Sequence, residues 1–209
     1  TRKIVGSVNV YKRQLLRRLP QADLYLQDEV QVALHPTLTR VWSRKGRRGQ
    51  RLVRAPGNSR KCLGFGAVNW REGWLSFGFS PAATLDVVPQ LDDLAARSKT
   101  RGRIAIVLRD NARTHTPAGS RLVRQTLARH GDALRLVYTP AADPDSTPIE
   151  RLWRLFRHRV THNHHHDDFW ALYADAEEEV GRLQADPAAV LRHLGSPGQQ
   201  ADDVLDSAA

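Results

Sequence analysis

The feature that most constrains the fold of this chain is the sequence RIAIVL at residues 103–108. A near-continuous apolar run of this length is typical of a strand covered on both faces, as in a parallel sheet with helices on each side. Residues 134–138 (LRLVY) form a second such run, and apolar residues at helical spacing lie between the two. These runs predict a sheet whose later strands arrive through helical crossovers.

The first half of the chain predicts antiparallel strands. Residues 24–29 indicate a buried strand with acids at its exit, and residues 61–69 and 73–79 indicate a hairpin. Short strands are also expected at 40–42 and 51–54. Helices are predicted from apolar stripes and from prolines that can open a helix, at 84–97, from Pro117, from Pro148 and at 168–184. The expected fold class is α/β, a mixed sheet flanked by helices.

Composition limits the class of protein further. The single cysteine, Cys62, excludes an internal disulfide and a cysteine-rich zinc site, and favours a reducing compartment. No apolar run approaches the ~18 residues of a membrane span. The sequence contains no methionine, which favours the C-terminal part of a longer protein. We expect a basic linker or helix at 1–22, one domain at 23–185 and a polar, disordered tail at 186–209.

The positive charge is concentrated at the start of the chain. The formal net charge is +10, and residues 1–60 alone hold 14 basic and 3 acidic residues. The densest stretch contains Arg40, Arg44, Lys45, Arg47, Arg48, Arg51 and Arg54. Such a stretch can neutralise several nucleic-acid phosphates. The alternative is a solvated basic loop.

Three acids occupy positions where an α/β sheet places its ligands. Asp28 follows the first predicted strand, Asp110 follows the strand at 103–108, and Glu150 lies in the first turn of the Pro148 helix. Gathered carboxylates repel each other unless a cation lies between them, and hard oxygen ligands suit Mg²⁺ or Mn²⁺. Taken singly, each acid is better explained by a turn, a strand end or a helix N-terminus than by a catalytic role.

The sequence around these acids resembles the mariner-like superfamily of DDE transposases, in its bacterial insertion-sequence branch. Three blocks match in order: DE, HP and RVWSRKG within 28–46, then VLRDNARTH at 107–115, then YTPAADPDSTPIERLW at 138–153. The likeness covers roughly residues 20–185. It implies a ribonuclease-H-like, five-stranded catalytic domain, with Asp28, Asp110 and Glu150 as the catalytic acids that hold two Mg²⁺ or Mn²⁺ ions.

The resemblance also suggests roles for the neighbours of these acids. Asn111 and His115 match the motif and would position ligands or substrate, although Asn111 is equally consistent with a side chain bonded to its own turn. Arg154 and Arg157 follow Glu150 at i+4 and i+7, where they would hold DNA phosphates or form an ordinary Glu–Arg pair. The histidines His162, His164, His165 and His166 lack an acid or cysteine framework, so a metal site there is not favoured.

The predicted function is metal-dependent DNA cleavage at transposon ends followed by strand transfer, in a bacterial cytoplasm at the nucleoid. The expected partners are end and target DNA and a second copy of the chain, with no membrane. Ala142, Asp143 and Thr147 depart from the motif just before Glu150. Two alternatives therefore stay open: a catalytically degraded, DNA-binding transposase remnant, and another ribonuclease-H-like endonuclease.

Overall fold

A computed structural model of the chain describes residues 21–46, 52–55, 60–80, 87–111, 116–139 and 148–195. Several predictions concern positions outside these ranges. They include the basic segment before residue 21, the polar residues after 195, and the side chains of Arg47, Arg48, Arg51, His115, Ala142, Asp143 and Thr147.

The core of the molecule is a five-stranded sheet in the order β3-β2-β1-β4-β5. Its strands are β1 (Ala22–Ala33), β2 (Lys61–Asn69), β3 (Leu75–Ser80), β4 (Ile104–Arg109) and β5 (Leu134–Tyr138). β1 pairs antiparallel with β2, which pairs antiparallel with β3. β4 pairs parallel with both β1 and β5. The predicted mixed sheet is confirmed, with parallel pairing where the two long apolar runs lie.

The side chain of Asn69 stabilises the turn of the hairpin between β2 and β3 by accepting hydrogen bonds from backbone N–H groups. Asn69 Oδ1 accepts hydrogen bonds from the N–H groups of Arg71 and Glu72, at 3.0 and 3.1 Å. Gly73 then adopts a φ of +70°, in the left-handed region that glycine tolerates. These contacts confirm the predicted hairpin, with its second strand beginning at Leu75.

Helices cover both faces of the sheet. They are α1 (Val88–Thr100), α2 (Arg121–His130), α3 (Ile149–Val160), α4 (Phe169–Ala185) and α5 (Pro187–Leu194). One face of the sheet packs Tyr25 and Val107 with apolar residues of α1 and α2. The other face packs Leu26 and Leu108 with α3, α4 and α5. None of the helices in the described ranges is long and apolar enough to cross a bilayer.

Two helix predictions are corrected by capping side chains. The helix predicted from Pro117 begins at Arg121, because Ser120 is its N-cap and accepts a hydrogen bond from the N–H of Val123. The tail predicted from residue 186 is wrong over α5. There, Asp186 caps the helix, Pro187 occupies its first turn, and Val190 and Leu194 are buried against α3 and α4. The polar composition of the sequence after residue 195 concealed this short amphipathic helix.

The connector between β1 and β2, described at 34–46 and 52–55, contains no strand in these ranges. The short strands predicted at 40–42 and 51–54 are therefore wrong where the chain is described. The connector is held instead by the turn after α3. Asn163 Oδ1 accepts a hydrogen bond from the Thr39 N–H at 3.0 Å, and Asn163 Nδ2 donates to Thr39 Oγ1 at 2.8 Å.

Candidate active site

The pairing of β1 with β4 brings two of the predicted acids to the same place. The last registered pair is Leu26 with Leu108, and Asp28 and Asp110 each lie two residues further on. Because side chains alternate along a strand, Asp28 lies on the face of Leu26, toward α3. Parallel register therefore carries Asp28 and Asp110 to one edge of the sheet.

The prediction that Asp28 ends its strand is corrected. β1 continues to Ala33, so Asp28 lies in its middle. What ends is the neighbouring strand, since β4 stops at Arg109. The polar residues Gln27 and Glu29 beside Asp28 gave the sequence the appearance of a strand exit. In fact β1 loses one neighbour at this point and keeps its pairing with β2.

The third acid reaches the same edge from α3. Glu150 lies in the first turn of this helix, whose residues Ile149, Leu152, Trp153 and Phe156 are buried against the sheet. The ring of Trp153 packs over Gly66, the β2 residue paired with Asp28. Because Gly66 has no side chain, α3 approaches the sheet closely enough for Glu150 to reach Asp28.

The electrostatics of Asp28 reflect this convergence. Burial raises the pKa of Asp28 to about 7, and the negative charges of Glu150 and Asp110 and a hydrogen bond with the Glu150 carboxyl add to the effect. The backbone of Glu29 acts in the opposite direction. Like charges perturb a carboxyl in this way only at close range. The charges of the other two acids that the sequence singled out, Glu150 and Asp110, thus act on Asp28 in the structure.

Glu150 has a second polar neighbour on its own helix. Arg157 Nη2 donates to Glu150 Oε2 at 3.5 Å, and both side chains are partly exposed. Arg154 is exposed on the same helix. Of the two arginines predicted to follow Glu150, it is therefore Arg157 that forms the Glu–Arg pair in the described chain.

The donor chemistry of the three acids suits a hard divalent cation. Mg²⁺ and Mn²⁺ bind carboxylate oxygens and retain waters for a substrate phosphate. Within the described ranges, however, no group of three or more His, Cys, Asp or Glu side chains is arranged as a ready-made metal cage. The Asp28 and Glu150 carboxyls bond to each other instead. These acids fit such an ion by chemistry and would have to separate to hold it.

Arg109 is a residue of this edge that the sequence analysis missed. It is only 2% exposed, and its Nε and Nη1 have no hydrogen-bond partner in the described structure. Burial lowers its pKa, whereas the charges of Asp110, Tyr138, Glu29 and Asp28 raise it. The neighbouring strand places Gln27, also buried, next to it. The sequence signal for this residue was an arginine at the end of an apolar strand, directly before Asp110.

The other predicted residues lie apart from the acids or add little to them. Asn111 is exposed directly after Asp110. Arg40, Arg44, Lys45 and Arg54 belong to the connector, and all four are exposed. His165 donates to the Arg54 carbonyl at 3.2 Å, and His166 pairs with Asp175 at 3.1 Å. In the described structure these two histidines hold elements together rather than forming a metal site.

Most of this chain is similar in sequence to known proteins. The sequence profile of the DDE superfamily endonucleases matches residues 23–173. A curated relative, the insertion element IS630 uncharacterized 39 kDa protein of Shigella sonnei, is 26% identical over 153 residues. That match covers 71% of this chain and 42% of the relative, so the chain spans less than half of that protein's length.

Solved structures share the fold. The Mos1 strand transfer complex matches with a TM-score of 0.63 at 18% identity, covering 91% of this chain and 56% of that one. The mariner Mos1 paired end complex with Mg matches with a TM-score of 0.61 at 17% identity, covering 91% and 58%. The expected ribonuclease-H-like architecture is confirmed. The chain belongs to the DDE superfamily endonuclease family.

Proposed function

We propose that this chain is the catalytic domain of a bacterial DDE transposase, acting on chromosomal DNA at the nucleoid. The observation that carries the proposal is the convergence of three carboxyls from β1, the end of β4 and the first turn of α3. Family membership supports it. So does the insertion-element relative, although the chain spans only part of that protein.

The proposed reaction has two phosphoryl transfers. In the first, a water oxygen attacks phosphorus at an element end, the bond from phosphorus to the 3′ oxygen breaks, and a 3′-hydroxyl is released. In the second, that 3′-hydroxyl attacks a target phosphodiester, forming one P–O bond as another breaks. Asp28, Asp110 and Glu150 would hold two divalent ions. When bound, such ions activate the attacking oxygen and stabilise the leaving oxygen.

The protein's own part in this reaction is positioning. Asp28 and Asp110 are fixed by strand pairing, and Glu150 is fixed by the packing of Trp153 on Gly66. Rigid elements of this kind keep reacting groups aligned, which contributes a large part of enzymatic rate enhancement. No covalent enzyme intermediate is required.

DNA binding is proposed for the basic side chains of the connector and of α3. Arg40, Arg44 and Lys45 are exposed on the connector, and Arg154 and Arg157 follow Glu150 on α3. Arg54 is likewise exposed on the connector, and we assign Arg47, Arg48 and Arg51 to the same surface from the charge of the sequence. Contacts to phosphates fix register and orientation without reading sequence.

We further propose that two copies of the chain act together on paired DNA ends. The connector presents large apolar side chains to solvent, with Leu38 72% exposed, Trp42 fully exposed and Leu52 90% exposed. Exposed apolar groups of this size favour burial against a partner surface. Sedimentation with and without DNA, comparing the parent with Trp42→Ser, tests this: the variant is expected to bind DNA as a monomer.

The test of the catalytic proposal is nicking of supercoiled plasmid DNA in Mg²⁺ or Mn²⁺. The parent chain is expected to nick, whereas Asp110→Ala is expected to lose nicking and keep salt-sensitive DNA binding. Equal cleavage by both proteins would refute the assignment of Asp110.

A degraded, DNA-binding remnant is the second candidate. It is favoured by the departures from the motif at Ala142, Asp143 and Thr147, just before Glu150. Salt-sensitive binding by the parent chain without any metal-dependent nicking would support it. The family motif has tyrosine, serine and asparagine at these three positions. The triple variant Ala142→Tyr/Asp143→Ser/Thr147→Asn would then be expected to recover cleavage.

A further inference from the structure

The pair between Glu150 and Arg157 connects two parts of the proposed function that are otherwise separate. Glu150 is a proposed metal ligand, and Arg157 is a proposed phosphate ligand. In the structure the two side chains form an ion pair with each other, with 3.5 Å between Arg157 Nη2 and Glu150 Oε2. While this pair exists, Glu150 offsets part of the charge of Arg157.

The pair is weak enough to be exchanged. The Glu150 side chain is 45% exposed and that of Arg157 is 33% exposed. Ion pairs at such exposure contribute only about 0–1 kcal/mol to stability, because water and salt compete with them. A phosphate oxygen or a divalent ion offers either partner a stronger, charge-assisted contact.

Both ends of the pair have an alternative partner close by. Glu150 already bonds Asp28, so it lies within reach of the acid edge. Arg157 is close enough to His162 to depress the pKa of that imidazole, together with burial and the charges of His158 and His164. Its guanidinium therefore borders a basic surface, and releasing it from Glu150 would add a full positive charge there.

We propose that Arg157 exchanges partners, from Glu150 in the metal-free protein to a DNA phosphate once Glu150 turns to a divalent ion. Metal loading and DNA binding then strengthen each other, since each removes one partner of the same ion pair. Such coupling is reciprocal by thermodynamic necessity. This inference rests on the proposed function, and Arg157 acts in it as a positioning residue for Glu150.

The test measures binding of the full chain to a fluorescent DNA duplex by anisotropy, in EDTA and in Ca²⁺, which offers the same hard-cation chemistry. Arg157→Gln is compared with Arg154→Gln, the matched control on the same helix. In EDTA, Arg157→Gln is expected to weaken binding less than Arg154→Gln does, because Glu150 already offsets part of the charge that it removes. In Ca²⁺, it is expected to lose most of the strengthening that the parent shows. Arg154→Gln should weaken binding by the same factor in both buffers.

A double-mutant cycle in EDTA separates Arg157 from a general charge effect. Glu150→Gln is expected to tighten DNA binding by about threefold, since it frees one cation for a phosphate contact. The gain should vanish in Glu150→Gln/Arg157→Gln and persist in Glu150→Gln/Arg154→Gln. Arg157→Lys, which keeps the charge, should restore the calcium response.

Three results would overturn the inference. One is an equal loss of affinity for Arg157→Gln in EDTA and in Ca²⁺. A second is a Glu150→Gln gain that survives removal of Arg157, which would reflect net charge alone. The third is no salt-dependent DNA binding by any variant, which would refute the proposed function as well. Only this third result involves the function itself, so the two failures are distinguishable.

Discussion

At the scale of single residues, Asp28 shows how the fold changes the pKa of a side chain in the candidate active site. A carboxyl half-buried beside two other acids is held partly protonated near neutral pH, with its pKa raised to about 7. The sequence located this residue correctly because acids interrupting an apolar strand are conspicuous. It could not indicate the burial, which depends on Trp153 packing over Gly66 from 87 residues away in the chain.

The raised pKa of Asp28 predicts a specific dependence of stability on pH. Between about pH 4, the usual value for an unfolded Asp, and about pH 7, the folded chain keeps a proton that the unfolded chain has released. Folding stability should therefore fall as pH rises through this window and level off above it. Asp28→Asn should lack this fall and gain on the order of 2–4 kcal/mol over the parent by pH 8.

Urea unfolding in EDTA at pH 5 and pH 8 measures this difference. The control is Asp132→Asn, which changes a fully exposed acid. It should follow the parent at both values. If the free energy of unfolding of Asp28→Asn changes between pH 5 and pH 8 as much as that of the parent, the carboxyl at position 28 does not hold the extra proton.

A second prediction concerns Gly66. A Cβ at this position would overlap the ring of Trp153, so Gly66→Ala must displace α3 or the ring. We expect a loss of about 1–3 kcal/mol of stability, as for overpacked cores, and a fall in metal-dependent nicking because Glu150 moves with α3.

Gly78 provides the matched control for Gly66. It lies in the neighbouring strand β3, and a Cβ there would meet no heavy atom within 4 Å. Gly78→Ala should leave the urea midpoint and the nicking rate unchanged. Equal midpoints for the two alanine variants would contradict the close approach of α3.

At the scale of elements, the predictable parts of the fold are those whose sequence pattern reports their surroundings. β4 and β5 were predicted within one residue, because a strand buried on both faces is apolar throughout. The second half of β1 was missed, since it pairs only with β2 among its strand neighbours and carries polar Gln31 on one face. α5 was missed because it has only eight residues, and its burial depends on α3 and α4.

The packing of α5 predicts that this short helix contributes to the stability of the domain. Leu194 is 1% exposed in the core shared with α3 and α4. Leu194→Ala should cost about 2–4 kcal/mol, the usual range for truncating a buried leucine. The neighbouring exposed residue provides the control, and His193→Ala should stay within about 0.5 kcal/mol of the parent. Thermal melting of the two variants measures this difference. Equal melting temperatures would mean that Leu194 is not packed in the core shared with α3 and α4.

At the scale of the whole molecule, charge is distributed unevenly around the sheet. The excess of positive charge lies in the first 60 residues, and the described part of it is on the connector held by Asn163 beside the end of α3. The sequence predicted this basic segment from composition. It could not predict where the segment lies, because its anchors are in a distant turn: Asn163, with a left-handed φ of 57°, and the backbone bridge between Thr37 and His162.

This distribution predicts an asymmetric salt dependence of DNA binding. Arg40→Gln/Arg44→Gln should reduce the slope of log K against log salt by about 2, since each phosphate contact contributes about 0.9. Arg121→Gln/Arg124→Gln removes the same charge from α2, on the other face of the sheet, and should leave the slope unchanged. Anisotropy titrations over a series of salt concentrations measure both, and equal slopes for the two double variants would refute the assignment of the connector.

The alternation along β4 has a consequence for how such a gene can change. Arg109 is buried toward α1, whereas Asp110, one residue later, follows the last registered position at the open edge. Loss of one codon within β4 would place Asp110 in the buried position of Arg109 and Asn111 where the acid belongs, and gain of one codon would place Arg109 there instead. A single in-frame deletion there would therefore inactivate a copy of this gene, although the deletion lies outside the three acid codons themselves.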